Sequence, residues 1–296
     1  MHFIITGGAG FIGSHVTELL LAEGHHVTVV DDLTSGCLNN LPNHPALNLI
    51  EKDIAACQPE DFVGPVDGIA HLAATPSVTL SWVQPIASHH NNLSATLSVI
   101  QLCQALKIPR FVFTSSAAVY VDPTIVTITE NHSTVPISPY GLQKLVSEQY
   151  ASLFAQEVGF SFVALRLFNV FGPRQLPNSQ YSGVISIFVE AMRQGQPITI
   201  FGDGTQTRDF IFVKDVADGF ARALTAPLKP GSCSVCNLGT GRSIALLQLV
   251  EILKTCFPEW QAEIRFKPSR LGDIQHSLAD IAQARSVLGF VPQWST

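Results

Sequence analysis

Tyr140 and Lys144 place a phenol and an ammonium four residues apart, a spacing that puts both on one face of a helix. An ammonium beside a phenol favours the phenolate. The spacing therefore predicts a tyrosine acidified from its ordinary value of about 10, able to take or return a hydroxyl proton near neutral pH. By itself Y-x-x-x-K is a weak signal, since a solvated Tyr/Lys pair reads the same way. Its place makes it informative. An apolar run over 110–114 leads into Ser115-Ser116, and parallel sheets present their chemistry at the carboxyl ends of strands.

A second group of residues is suited to binding. The run from Thr6 to Gly13, TGGAGFIG, contains G-x-G-x-x-G at Gly8, Gly10 and Gly13, and G-x-x-G-x-x-G at Gly7, Gly10 and Gly13. A tight turn, a close approach to a pyrophosphate and close helix–strand packing each need a residue without Cβ. The helix that opens there offers free N–H groups to phosphates. An acid, Asp31, ends the next predicted strand. Its carboxylate can accept both ribose hydroxyls and repels a 2′-phosphate, which predicts NAD over NADP. Asp32 is the neighbouring alternative for that contact.

These groups need elements to hold them. Apolar runs at 3–6, 26–30, 68–73, 110–114 and 162–167 have strand length and composition. Helix-like stretches at 14–22, 92–105 and 140–157 alternate with them. The alternation predicts an α/β fold, a doubly wound parallel Rossmann sheet with helices on both faces. After Gly172 the texture changes. Residues 173–183 read as a loop, 185–194 as an amphipathic helix and 197–207 as a strand and turn. A helix starts near Val213, and from Ser243 onward a helix, a strand at 263–267 and a last helix at 280–288 follow. The predicted organisation is a dinucleotide-binding domain over 1–172, with returning segments at about 209–242. A smaller α/β substrate-binding cap comprises 173–208 and 243–296.

At 296 residues, 46% hydrophobic and 14% charged, the chain has the make-up of a globular protein with a buried sheet. Its net charge of −6 argues against nucleic acid as a partner. No apolar run reaches the ~18 residues of a membrane span, and no basic-then-apolar leader opens the sequence, so a cytoplasmic location is expected. Cys233 and Cys236 form C-x-x-C, but residues three apart on a strand point to opposite faces. No second Cys/His pair stands at zinc spacing, and no metal is expected. The histidine pairs His25-His26 and His89-His90 read as structural or surface groups.

Taken together, the glycine run, Asp31, His71-Leu-Ala-Ala74, the TSSAAVY segment ending at Tyr120 and Y-x-x-x-K resemble the extended short-chain dehydrogenase/reductase family. The RLFNVFGP segment from Arg166 to Pro173 and the GDGTQTRDFIFV run from Gly202 to Val213 resemble its NAD-dependent nucleotide-sugar branch. The match is closest to the UDP-glucose and UDP-N-acetylglucosamine 4-epimerases. The resemblance implies Tyr140 as base and acid, Lys144 as its partner and a cofactor-ribose contact, and Ser116 as the hydroxyl that orients the sugar O4, with Ser115 the adjacent alternative. It implies NAD contacts at Phe11, Ile12, Asp53, Ile54, Ala73 and Asn92. Diphosphate contacts are implied at Asn169, Arg208 and Arg270, a substrate-ribose contact at Asp273, and a uracil pocket at Tyr181, Val184 and Phe201. It departs from the family pattern at Val121 and Ala95, where glycine is usual.

Related 4,6-dehydratases carry an Asp-Glu pair just after the strand that here ends in Ser116, and related decarboxylases a Glu where Ala117 stands. Ala117-Ala118 brings neither acid nor base, so the resemblance implies the simplest chemistry, hydride out and hydride back, in a UDP-hexose 4-epimerase. At Ser277 the family pattern ties a small residue to tolerance of an N-acetyl group at the sugar C2. The implied substrates are UDP-glucose/galactose and UDP-N-acetylglucosamine/galactosamine. A 4-epimerase of UDP-glucuronic acid, a nucleotide-sugar reductase and a non-catalytic NAD-binding protein are the rival readings. A homodimer joined through the helices at 92–105 and 140–157 is implied as well.

Overall fold

The computed structural model describes residues 1–120, 127–176, 183–269 and 275–294. Seven strands form the central sheet: β1 His2–Thr6, β2 His26–Asp31, β3 Leu47–Glu51, β4 Gly68–His71, β5 Arg110–Ser116, β6 Ser161–Leu167 and β7 Cys233–Leu238. Their order is β3-β2-β1-β4-β5-β6-β7, with every neighbouring pair parallel. The strand order reverses between β1 and β4, and the crevice at such a reversal is where open α/β sheets bind ligands.

The helices along the chain are α1 Phe11–Ala22, α2 Val78–Val83, α3 Pro85–His89, α4 Ala95–Ala105, α5 Pro139–Val158, α6 Val184–Arg193, α7 Val213–Thr225, α8 Leu246–Cys256 and α9 Ala282–Leu288. Side chains on a strand alternate between faces, and β1 shows how this divides the core. Phe3 and Ile5 join a cluster with Val16 and Leu20 of α1, Phe220 of α7 and Leu288 of α9. Ile4, between them, joins a second cluster with Val99 of α4 and Ala151 of α5. Both faces are thus covered, which is why the inner strands read as apolar runs.

Beyond the sheet, α6, α8 and the parallel strands Ile198–Phe201 and Ile264–Lys267 enclose a separate apolar cluster around Phe188, Ile200, Val250 and Trp260. Arg110, the first residue of the interior strand β5, ties the sheet to α7. Its guanidinium donates to the carbonyls of Ala223 (2.5 Å) and Ala226 (2.8 Å) at the end of that helix, where free carbonyls and the helix dipole favour a cation. Cys233 is exposed and Cys236 buried. Among the described residues no His/Cys/Asp/Glu group is arranged to hold a metal ion, and no helix is long and apolar enough to cross a membrane.

Among the features outside the sequence expectations, three concern the sheet edge and the helices. Strand β3 is one: Asn48 interrupts its apolar run, and as an edge strand it is only half-buried. The short helices α2 and α3 are another. The third is the start of the helix expected from residue 92, which begins with a π turn, His90–Ser94, before α4. Single π turns inside helices recur at functional sites.

Candidate active site

The turn between β1 and α1 forms one wall of a cavity of ≈ 870 Å³, within the size range of small-molecule and cofactor pockets. The turn is tight: a Cβ on Gly13 would lie 2.1 Å from the Gly7 carbonyl oxygen, so only glycine lets the first turn of α1 sit against the loop. Gly10 precedes the helix without any side-chain cap, which leaves first-turn N–H groups open to an anion. Gly7, Gly10, Phe11, Ile12 and Gly13 line the cavity, as do Asp31, Asp32, Asp53, Ile54 and Ala73.

Asp31 ends β2 and is buried. Its Oδ2 accepts the Ala9 N–H and its Oδ1 the Leu33 N–H, both at 2.9 Å. Each carboxylate oxygen keeps a second lone pair, enough to accept a pair of ribose hydroxyls. Burial raises its pKa and the two backbone bonds work against that rise. Asp32 is exposed and accepts the Thr34 N–H (3.0 Å) and hydroxyl (2.7 Å). Asp53 caps a short turn through the Ala55 N–H. The buried Thr114 hydroxyl, also on the cavity lining, has no hydrogen-bond partner among the described residues. The glycine cradle, the buried acid and this orphaned hydroxyl fit a dinucleotide lying across the β1–β4 crevice. Asn92 sits behind the wall. It is buried, accepts the Thr75 N–H (2.8 Å) and donates to Gln143 Oε1 (2.8 Å), and Thr75 is the residue of this network that reaches the cavity.

The hydroxyls at the end of β5 part company. Strand alternation turns them to opposite sides. Ser115 is buried and donates to Glu148. Ser116 accepts the Ala118 N–H (3.1 Å), capping the turn Ala117–Val119, and its hydroxyl stands near enough to the Tyr140 phenol to lower that group's pKa. Helix α5 reaches this turn because its third residue has no side chain: a Cβ on Gly141 would lie 2.2 Å from the Ala118 carbonyl oxygen. Ser138 caps α5 by accepting the Gly141 N–H, and Pro139 occupies its first position. Tyr140, Lys144, Ser115 and Ser116 all line the cavity that holds the glycine cradle.

The titration of this pair corrects the sequence expectation. Tyr140 is pushed up to about 12 by burial, with the Ser116 hydroxyl opposing, and Lys144 is not among the groups that shift it. Lys144 is itself pushed down to about 7 by burial, with Glu148 opposing. Its Nζ donates to the Thr114 carbonyl (2.8 Å) and lies 4.8 Å from the centre of the Phe113 ring and 5.9 Å from that of Tyr140. Desolvation of both groups outweighs their mutual influence.

Residues expected at the substrate fall in different places. Asn169 and Val184 line the large cavity, while Phe201 lines a second one of ≈ 590 Å³ together with Asp203, Gln206 and Lys267. Arg208 and Ser277 line neither. Arg208 Nη1 donates to the Thr207 carbonyl (2.9 Å), and the buried Ser277 donates its N–H to the same carbonyl (3.2 Å). Tyr181, Arg270 and Asp273 lie outside the described residues, as does Val121. Sequence reasoning overlooked Thr114, Gly141 and Glu148. The last was detectable, since it continues the face of Tyr140 and Lys144 by another four residues.

A family model described as NAD dependent epimerase/dehydratase family matches residues 3–239. A protein of Methanocaldococcus jannaschii named putative UDP-glucose 4-epimerase is 35% identical over 98% of this chain and 93% of its own. Among solved structures, UDP-N-acetylglucosamine 4-epimerase from Methanobrevibacter ruminantium M1, in complex with UDP-N-acetylmuramic acid, superposes with a TM-score of 0.93. It is 37% identical, over 99% of this chain and 93% of that one. MoeE5 in complex with UDP-glucuronic acid and NAD superposes with a TM-score of 0.89 at 32% identity, over 100% and 95%.

Proposed function

The chain belongs to the NAD dependent epimerase/dehydratase family, is an NAD-dependent enzyme, and from that premise we propose that it is a UDP-hexose 4-epimerase acting on UDP-glucose/galactose and on UDP-N-acetylglucosamine/galactosamine. The observation that carries this reading is the Tyr140–Ser116 hydroxyl pair opening onto the cavity of the glycine cradle. A sugar hydroxyl set between those two oxygens exchanges its proton with Tyr140 while the carbon that bears it faces the cofactor.

Bound NAD supplies the hydride acceptor and donor, and in its oxidised form a positive charge that favours the phenolate. Tyr140 would take the 4-OH proton during oxidation at C4 and would give a proton back during reduction of the 4-keto sugar from its opposite face. Proton and hydride each leave and come back, so the net change is configuration alone. Because burial keeps Tyr140 protonated in the protein by itself, proton return is its easier half-step. Ser116 orients the sugar O4, and the Ser116-capped turn holds Ala117 and Ala118, which supply no second acid or base for dehydration.

Asn169 and Val184 sit across the same cavity and are assigned to the sugar diphosphate and nucleotide. Arg208, Phe201 and Ser277, with Tyr181, Arg270 and Asp273, complete the substrate set in this reading. Asp31 selects NAD. The domain division proposed with it follows the separate apolar cluster of α6 and α8. UDP-glucuronic acid is the competing sugar, supported by the likeness to MoeE5.

Purified protein given UDP-galactose, UDP-N-acetylgalactosamine or UDP-galacturonic acid in separate assays should convert the first two, reaching the same product ratio from either epimer without net NADH. Ser277→Tyr should abolish turnover of the N-acetyl sugar and spare UDP-galactose. Conversion of the uronic acid alone, or stoichiometric NADH, would overturn the proposal.

A further inference from the structure

A buried charge cluster stands behind Tyr140 and Lys144 that the proton transfer alone does not call for. Glu148 is 4% exposed on α5, one turn beyond Lys144. Arg166 of β6 grips it with both arms of the guanidinium, Nε to Oε1 at 3.0 Å and Nη2 to Oε2 at 2.7 Å. The Ser115 hydroxyl donates to the same Oε1. Arg166 is fixed in turn, its Nη1 donating to the Tyr120 hydroxyl (2.9 Å) and the Glu130 carbonyl (3.2 Å). Tyr120 donates to Asn237 of β7 (2.6 Å). The carboxylate is therefore located by three strands of the sheet and has no freedom to follow the lysine.

A buried ion pair is poor evidence of stability, because desolvating two charges costs about as much as their attraction returns. Its position is the informative feature. Residues 140, 144 and 148 form one helical stripe. The strand end that receives Lys144 Nζ, at Thr114, continues directly into Ser115, which binds Glu148. We propose that Glu148 is a positioning residue: a carboxylate clamped by Arg166 and Ser115 that keeps the Lys144 ammonium charged and seated beside Tyr140. The proposal rests on the roles given above to Tyr140 and Lys144.

The other groups around Lys144 do not do this work. Tyr140 on the same helix is a neutral phenol. His71 of β4, stacked on the Phe113 ring, is pushed down to about 3 by burial and then by Lys144, so it is neutral too. Arg166 of β6 is a cation and Tyr120 is pushed up to about 12 by burial, which keeps it uncharged. Glu130 is a carboxylate on the far side of Arg166; it accepts the Asn237 N–H at 2.7 Å. Of all these, Glu148 is the charge that supports Lys144 against its burial. Without it the ammonium loses its proton at lower pH.

The alkaline limb of the kcat/KM profile for 4-epimerisation reads that proton. Glu148→Gln should move the limb toward acid by roughly one pH unit, and Glu148→Asp should restore part of the shift. Because Glu148→Gln leaves a buried guanidinium unpaired, the double variant Glu148→Gln/Arg166→Met serves as a second test, with no orphaned charge; it too should move the limb toward acid. A limb that stays in place in the variants that fold, with only Tm reduced, would overturn the proposal and make Glu148 purely structural. Lys144→Met, expected to lose about a hundredfold in kcat, separates the two ideas. Full activity there refutes the role of Lys144 and the proposal with it, whereas an inactive Lys144→Met with an unmoved limb refutes the proposal alone.

Discussion

At the scale of single residues, Tyr140 is a buried phenol beside the Ser116 hydroxyl, with Lys144 Nζ 5.9 Å from its ring centre. Tyr140→Phe removes the proton acceptor and keeps the ring. Its kcat should fall by about 10³-fold with NAD retention unchanged, read by turnover and by cofactor content of the purified protein; an active phenylalanine variant would remove Tyr140 from the chemistry. The residues on that side of the cavity were legible from spacing together with their place among the predicted strands and helices. Tyr140 and Lys144 are four apart, the glycines are three apart, and Asp31 closes the next strand. Their titration was not legible, because a pKa in a protein is set by desolvation, and the sequence does not state that both Tyr140 and Lys144 are buried. The choice between Ser115 and Ser116 was equally open until strand alternation sent one to Glu148 and the other to Tyr140.

Elements were legible to the extent that both their faces are covered. Strands β1, β2, β4, β5 and β6 read as apolar runs because helices lie on either side of them. Strand β3 did not, since an edge strand with Asn48 in its middle carries half of that pattern. The approach of α5 to the turn Ala117–Val119 was also hidden. It depends on Gly141, a residue that in sequence is simply the neighbour of the tyrosine. Gly141→Ala puts a methyl where the Ala118 carbonyl stands, and backbone must shift to admit it. The variant should lose about 1–3 kcal/mol of stability and a larger share of kcat than of substrate affinity, because the Tyr140–Ser116 geometry is what moves. Denaturant melts and steady-state kinetics of the same preparation check both, and a wild-type kcat would contradict the role given to this contact.

For the whole molecule, the sheet brings cofactor cradle and hydroxyl pair onto one cavity, while the described substrate residues expected from the sequence divide between two cavities and positions that line neither. That division depends on how chain beyond the sheet folds back on it, which local patterns do not encode. A further molecular-scale proposal concerns α5. Leu142, Tyr150 and Leu153 are 52%, 41% and 66% exposed and lie on one stripe of the helix, an apolar face suited to a second copy of the chain. Light scattering should give a dimer for the native protein and a monomer for Leu142→Glu/Leu153→Glu; a native monomer at micromolar concentration would contradict it. The central claim is that one site removes hydride from C4 and returns it to the same carbon. UDP-galactose bearing deuterium at C4 tests it most directly. Mass and NMR analysis of the UDP-glucose formed should find the label wholly retained at C4 with inverted configuration, whereas label lost to water or carried away in released NADH would contradict the account.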